Sequence, residues 1–155
     1  MPTPAELLLT CIGPSSRTDD HEKFLRTLAN CGMPGLSIPE LTPENVGLPQ
    51  NQIDNLRRAR IQEQAYTAPR DPRIHINTES DVYRGARKGQ TDALLRLVAQ
   101  IDHERDHIWN GPDEASAYDT QLKRLRTLGA SKGTLRDIEA AKAWALKQPV
   151  DPTLR

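Results

Sequence analysis

Apolar positions along the chain follow two periods. Between residues 91 and 109, Leu94, Leu97, Val98 and Ile101 recur three and four apart, which gathers them into one stripe of a helix. Thr91 or Asp92 is placed to cap it, and Asn110-Gly111-Pro112 to end it. The same spacing returns in residues 112–128 through Ala115, Tyr118, Leu122 and Leu125, with Gly129 closing the segment. A last helix runs from Ser131 or Thr134 to about Lys147, with Leu135, Ile138, Ala141 and Leu146 facing inward. Ile74 and Ile76 instead alternate with Arg73, His75 and Asn77, which predicts a half-buried strand over residues 73–78. Pro72 favours a strand start or an edge position there. A short helical turn follows over residues 80–88.

The N-terminal half is less regular. The apolar stretch over residues 5–12 suits a strand or a short buried helix, and Gly13-Pro14 breaks it. A helix is expected from a cap at Asp19 or Asp20 through Cys31, with Phe24, Leu25 and Leu28 on one face and Gly32 as its stop. Residues 32–49 carry four prolines and three glycines, and read as an irregular connection with a short strand over residues 36–38. Ile53, Leu56 and Ile61 then mark a helix from about residue 49 to 64, with Arg57, Arg58 and Arg60 around its stripe. The expected fold class is α+β and predominantly α. Its parts are an N-terminal segment (1–48), a core (49–148) and a frayed tail (149–155), together forming one compact domain.

Composition narrows the function. With 36% apolar and 27% charged residues, and only six aromatic side chains of the Phe, Trp and Tyr type, the core must rest on aliphatic residues. Lys+Arg and Asp+Glu both total 21, so net charge gives no reason to expect nucleic acid or an anionic membrane as partner. No apolar run is long enough to span a bilayer, and Leu7-Leu8-Leu9 is too short for a signal sequence. A cytoplasmic protein is expected. Cys11 and Cys31 do not form a CxxC pair; reduced, partly buried thiols are expected, with a disulfide closing the N-terminal segment as the alternative.

The candidate chemistry sits at the end of the helix over residues 91–109. His103-Glu104-x-x-His107 places two imidazoles one turn apart on one helix face, where both can hold one metal ion. Glu104 is the candidate general base for a water on that ion. The turn at Asn110-Gly111-Pro112 brings the next helix back beside the two rings. It offers Glu114 as third ligand, with Asp113 as the alternative. Tyr118, one turn after Glu114, could hydrogen-bond a carboxylate or a tetrahedral intermediate. Asp102 and Asp106 are read as exposed helix charges, or as carboxylates orienting a ligand ring. His75 is read as surface or cleft lining, His21 as exposed, and Tyr83 as core.

Over residues 74–128 the pattern His103-Glu104-x-x-His107 followed by Glu114-x-x-Ala117-Tyr118 resembles the small zincin metallopeptidases of gluzincin type, with bacterial and phage members. The resemblance implies one Zn2+ held by His103, His107 and Glu114, catalysis by Glu104 and Tyr118, and a protein or peptide substrate. It further implies an active-site helix packed on a small sheet, whose edge strand, Ile74, His75 and Ile76, would bind extended substrate by main-chain pairing. The reaction implied is hydrolysis of a peptide bond. A second reading is a non-catalytic zincin-like interaction or regulatory module, motivated by the charged Arg105 and Asp106 inside the motif.

Overall fold

A computed structural model describes residues 3–12, 21–32, 41–43, 65–66, 73–78 and 80–148. In chain order these form α1 (Pro4–Ile12), α2 (His21–Gly32), β1 (Leu41–Pro43), β2 (Ala65–Tyr66), β3 (Ile74–Ile76), α3 (Asp81–Arg87), α4 (Thr91–Asn110), α5 (Glu114–Thr127) and α6 (Lys132–Leu146). The protein is thus predominantly α, and among the described residues its β part is three strands of two or three residues. The expected caps at Asp19 or Asp20, the strand over residues 36–38 and the helix from residue 49 to 64 lie outside the described residues.

α4 is the axis of the molecule. It packs along α5 and α3, touches α1, and lies against β2 and β3. Leu94, Leu95, Leu97, Val98, Ala99 and Ile101 are all buried, wider than the one-sided stripe the period predicts, because neighbours cover α4 on several sides. Burial continues through seven consecutive residues from Ile101 to His107, six of them ionisable. α5 in turn packs between α4 and α6. Its Leu122, Leu125 and Leu128 join Phe24, Leu25 and Leu28 of α2, Tyr83 of α3 and the α4 side chains in one core.

Several local expectations hold. The helical turn expected over residues 80–88 is α3, where the Ser80 side chain accepts from the Tyr83 N–H, and the last helix starts at Ser131, which caps α6 by accepting from the Thr134 N–H. Gly129 closes α5 with φ +77°. Others are corrected. α4 begins after Gln90, not at a Thr91 or Asp92 cap, because the Asp92 carboxylate is taken by Arg96 and by the Thr134 hydroxyl of α6. Leu146 is exposed; the buried face of α6 is carried by Thr134 and Ile138.

The strand expected at a sheet edge is the centre of its sheet. β3 lies between β1 and β2, in the order β1-β3-β2. β1 pairs with it in parallel, Leu41 opposite Ile74 and Pro43 opposite Ile76; β2 pairs antiparallel, Ala65 opposite Ile76. β3 is therefore flanked on both edges, by β1 along Ile74, His75 and Ile76 and by β2 along His75 and Ile76, and all three residues are buried. They cannot offer main-chain pairing to an extended substrate, and His75 is not a surface residue.

The two cysteines form a disulfide, with Cα atoms 5.7 Å apart, in place of the reduced thiols expected. α1 and α2 pack against each other, and that contact brings together two thiols 20 residues apart in sequence. His21, at the exposed start of α2, stands 2.7 Å from the Tyr83 hydroxyl and 2.8 Å from Arg87 through its Nδ1. Tyr83 is buried as expected, and that burial pushes its phenol pKa above the ordinary value.

Candidate metal centre

The centre is built by the last turns of α4, the turn at Gly111 and the first turn of α5. Four-residue spacing stacks His103 under His107, with ring centroids 4.9 Å apart. Gly111 then takes φ +90°, a backbone that only glycine adopts without strain. Asp113 caps α5 by accepting from the Ala115 N–H at 2.9 Å. Of the two candidate carboxylates, Asp113 is thus committed to its helix, and Glu114, one residue later, reaches the rings.

Three side chains converge. The Glu114 oxygens lie 3.4 Å from His103 Nε2 and 3.2 Å from His107 Nε2, and the two Nε2 atoms are 3.2 Å apart. Four N/O ligands arranged tetrahedrally about 2.0–2.1 Å from a small cation stand roughly 3.3–3.4 Å from one another. The observed spacings match those edges, so the three groups fit one ion without rearrangement. Both imidazole side chains are almost fully buried, and Glu114 is about a quarter exposed, which leaves the centre one open side.

The state of each ring follows from what its other nitrogen meets. His107 Nδ1 lies 3.0 Å from the Gly111 carbonyl oxygen, which can only accept, so Nδ1 carries the proton. His103 Nδ1 lies 2.8 Å from Gln121 Oε1 and donates to it. Both Nε2 atoms then turn lone pairs on each other and on a carboxylate. Three acceptors at such distances repel unless a cation or a proton sits among them, and a metal ion answers that need. Helix polarity acts in the same sense. The C-terminal end of α4 favours a cation, and the N-terminal turn of α5 favours the Glu114 carboxylate.

The remaining candidates take distinct places. Glu104 is buried on α4, next to His103 in sequence, and its Oε1 accepts from Gln100 Nε2 at 3.2 Å. Tyr118 packs edge-on against the His103 ring, with centroids 4.5 Å apart, so it stands at the centre as the sequence places it. Ile74, His75 and Ile76 lie in the sheet that α4 packs on and are not among the converging side chains.

Asp102 and Asp106 are buried, contrary to the expectation of exposed helix charges, and they bind α5 instead of orienting a ligand ring. Asp106 accepts from Asn110, from Ser116 at 2.9 Å and from Thr120 at 3.1 Å, the last two on α5. Asp102 pairs with Arg105 at 2.8 Å and with Arg124 of α5 at 2.5 Å. Arg105 also lies over the Trp109 ring. Gln100 and Gln121 were the residues the sequence did not point to. The only signal was an uncharged polar residue among the core positions of α5, where helical spacing would otherwise place an apolar one.

No protein-family model, curated protein or solved structure matches this chain.

Proposed function

We propose that the protein is a zinc-dependent metallopeptidase of zincin-like type. The observation that carries this reading is the convergence of His103, His107 and Glu114 at ligand-to-ligand spacing, with both rings held in the tautomer that presents Nε2. When bound, a zinc ion polarises a peptide carbonyl and makes a water acidic enough to be deprotonated near neutral pH. His103, His107 and Glu114 are the residues that would hold it. Glu104 takes the proton of the attacking water and returns it to the leaving amine, a role for which its carboxylate lies next to the ligand His103 in sequence. Tyr118, whose ring packs against that of His103, would donate a hydrogen bond to the developing oxyanion. Substrate pairing with the sheet falls to β1 or β2, the outer strands, because β3 is already paired on both sides.

The motivation for a non-catalytic module weakens, since Asp106 joins α4 to α5 and Arg105 pairs with Asp102 and lies over Trp109 within α4. The test is zinc content by elemental analysis together with cleavage of a casein or peptide-library substrate. Wild type and Glu104→Gln should both bind one zinc per chain, and the variant should lose cleavage by roughly 100-fold or more. A wild-type protein that takes up no zinc when offered excess would overturn the reading.

Among the described residues no helix is long and apolar enough to cross a membrane. The Cys11–Cys31 disulfide favours an oxidising compartment over the cytoplasm expected from the sequence. Thiol alkylation and mass spectrometry of the protein taken from its native cells decide between the two.

A further inference from the structure

Gln121 belongs to α5, which holds Glu114, yet it serves α4. It is almost fully buried. Its Oε1 accepts from His103 Nδ1 at 2.8 Å, and its Nε2 donates to Gln100 Oε1 at 3.1 Å. Gln100 Nε2 in turn donates to Glu104 Oε1 at 3.2 Å. The two glutamines form an unbroken line from the carboxylate of Glu104 to the ring of His103.

The direction of this line is fixed at one end. An ionised carboxylate only accepts, so Gln100 must present its NH2 to Glu104. That leaves the Gln100 oxygen for Gln121, which must answer with its own NH2. The Gln121 oxygen then faces His103, and Nδ1 must carry the ring proton. If both amides were turned over, a donor would face Nδ1, the proton would move to Nε2, and the lone pair aimed at Glu114 and His107 would be lost. The turned-over arrangement would also set the Gln100 oxygen against the Glu104 carboxylate, which opposes it.

We propose that Gln121 is the positioning residue of this centre: through Gln100 it ties the Glu104 carboxylate to the His103 ring and holds that ring as the Nδ1–H tautomer with Nε2 free to ligate. This rests on the metallopeptidase reading only for what Nε2 is used for; the tautomer claim concerns the protein without metal. One device thereby couples the base to a ligand, and a substitution at either glutamine reaches both.

The experiment compares wild type with Gln121→Leu, Gln121→Glu and Gln100→Leu. The first readout is the 15N shift pattern of the His103 ring in metal-free protein, at a pH well above the usual imidazole range. The second is zinc affinity by competition with a chromophoric chelator. Wild type should show the proton on Nδ1. In Gln121→Leu the Nε2–H tautomer should become populated, and zinc affinity should fall roughly 10- to 100-fold, the usual effect of losing an outer-shell partner. Gln121→Glu keeps an acceptor on Nδ1 and should keep the Nδ1–H tautomer. Gln100→Leu should move both readouts in the direction of Gln121→Leu by a smaller amount. A folded Gln121→Leu with its proton still on Nδ1 and affinity within about twofold of wild type overturns the proposal. If Gln121→Leu does not fold, Gln100→Leu decides in the same way, and no change in either readout overturns it. Wild type that binds no zinc but shows the tautomer shift in Gln121→Leu would sink the metallopeptidase reading and leave the positioning role standing.

Discussion

His103 and His107 keep their protons on fixed acceptors, one an amide oxygen and one a backbone carbonyl, so the centre depends on where lone pairs point as much as on which residues are present. The neighbouring carboxylates show the contrast between similar residues in different settings. Glu114 faces two rings and is partly open to solvent. Asp106, three residues after His103, is buried and accepts from three side-chain donors on two helices. Removing a buried acceptor leaves its donors to find water or remain unsatisfied. Asp106→Ala should therefore lower stability by about 2 kcal/mol in urea unfolding. Its metal affinity should change much less than that of Gln121→Leu, because no ligand ring touches Asp106 in the contacts that define it.

The helices owe their arrangement to short devices at their ends. The α4–α5 turn hinges on Gly111, whose φ of +90° an alanine would adopt only under strain. Gly111→Ala should cost about 1–3 kcal/mol in thermal or urea unfolding. It should also weaken zinc binding, because the Gly111 carbonyl sets the His107 ring and the turn delivers Glu114. The α1–α2 pair is tied by Cys11–Cys31, closing a loop of 20 residues. In the chain-entropy account a cross-link of that span contributes about 3 kcal/mol, so Cys31→Ser or reduction should lower stability by about that amount. The candidate metal centre lies on α4 and α5, so zinc affinity of the folded, reduced protein should be close to that of the oxidised form. Metal titrations with and without a thiol reductant check this.

Across the whole molecule, the N-terminal helices meet the α3–α4 unit at a small polar cluster of His21, Tyr83 and Arg87, with Arg87 also over the Phe24 ring. Burial is the largest influence on Tyr83 and raises its pKa, with Arg87 acting the other way. The folded protein therefore holds the phenol proton to higher pH than the unfolded chain does. The stability linked to Tyr83 is intact below about pH 10, where the unfolded phenol titrates, and is lost as pH rises toward the folded value. Melting temperature should fall more steeply above about pH 10 in wild type than in Tyr83→Phe, which has no phenol to ionise. Equal slopes in the two proteins would refute the assignment.

By itself the sequence determined what is local. Three- and four-residue spacing placed α4, α5 and α6 within a few residues of their observed bounds, because amphipathic period is a property of consecutive residues. The three converging side chains were legible for the same reason: His103 and His107 are one turn apart, and Glu114 follows across a single glycine turn. Tertiary structure alone decided the rest. A helical period tells which face is buried but not what covers it, so the burial of Asp102 and Asp106 against α5 could not be read from α4. Alternation at Ile74 and Ile76 announced a strand; its central position depended on β1 and β2, which come from distant parts of the chain. The disulfide depended on α1 meeting α2, and the line from Glu104 to His103 on α5 lying along α4. Local spacing aims side chains, and only the packing of separate elements gives each its partner.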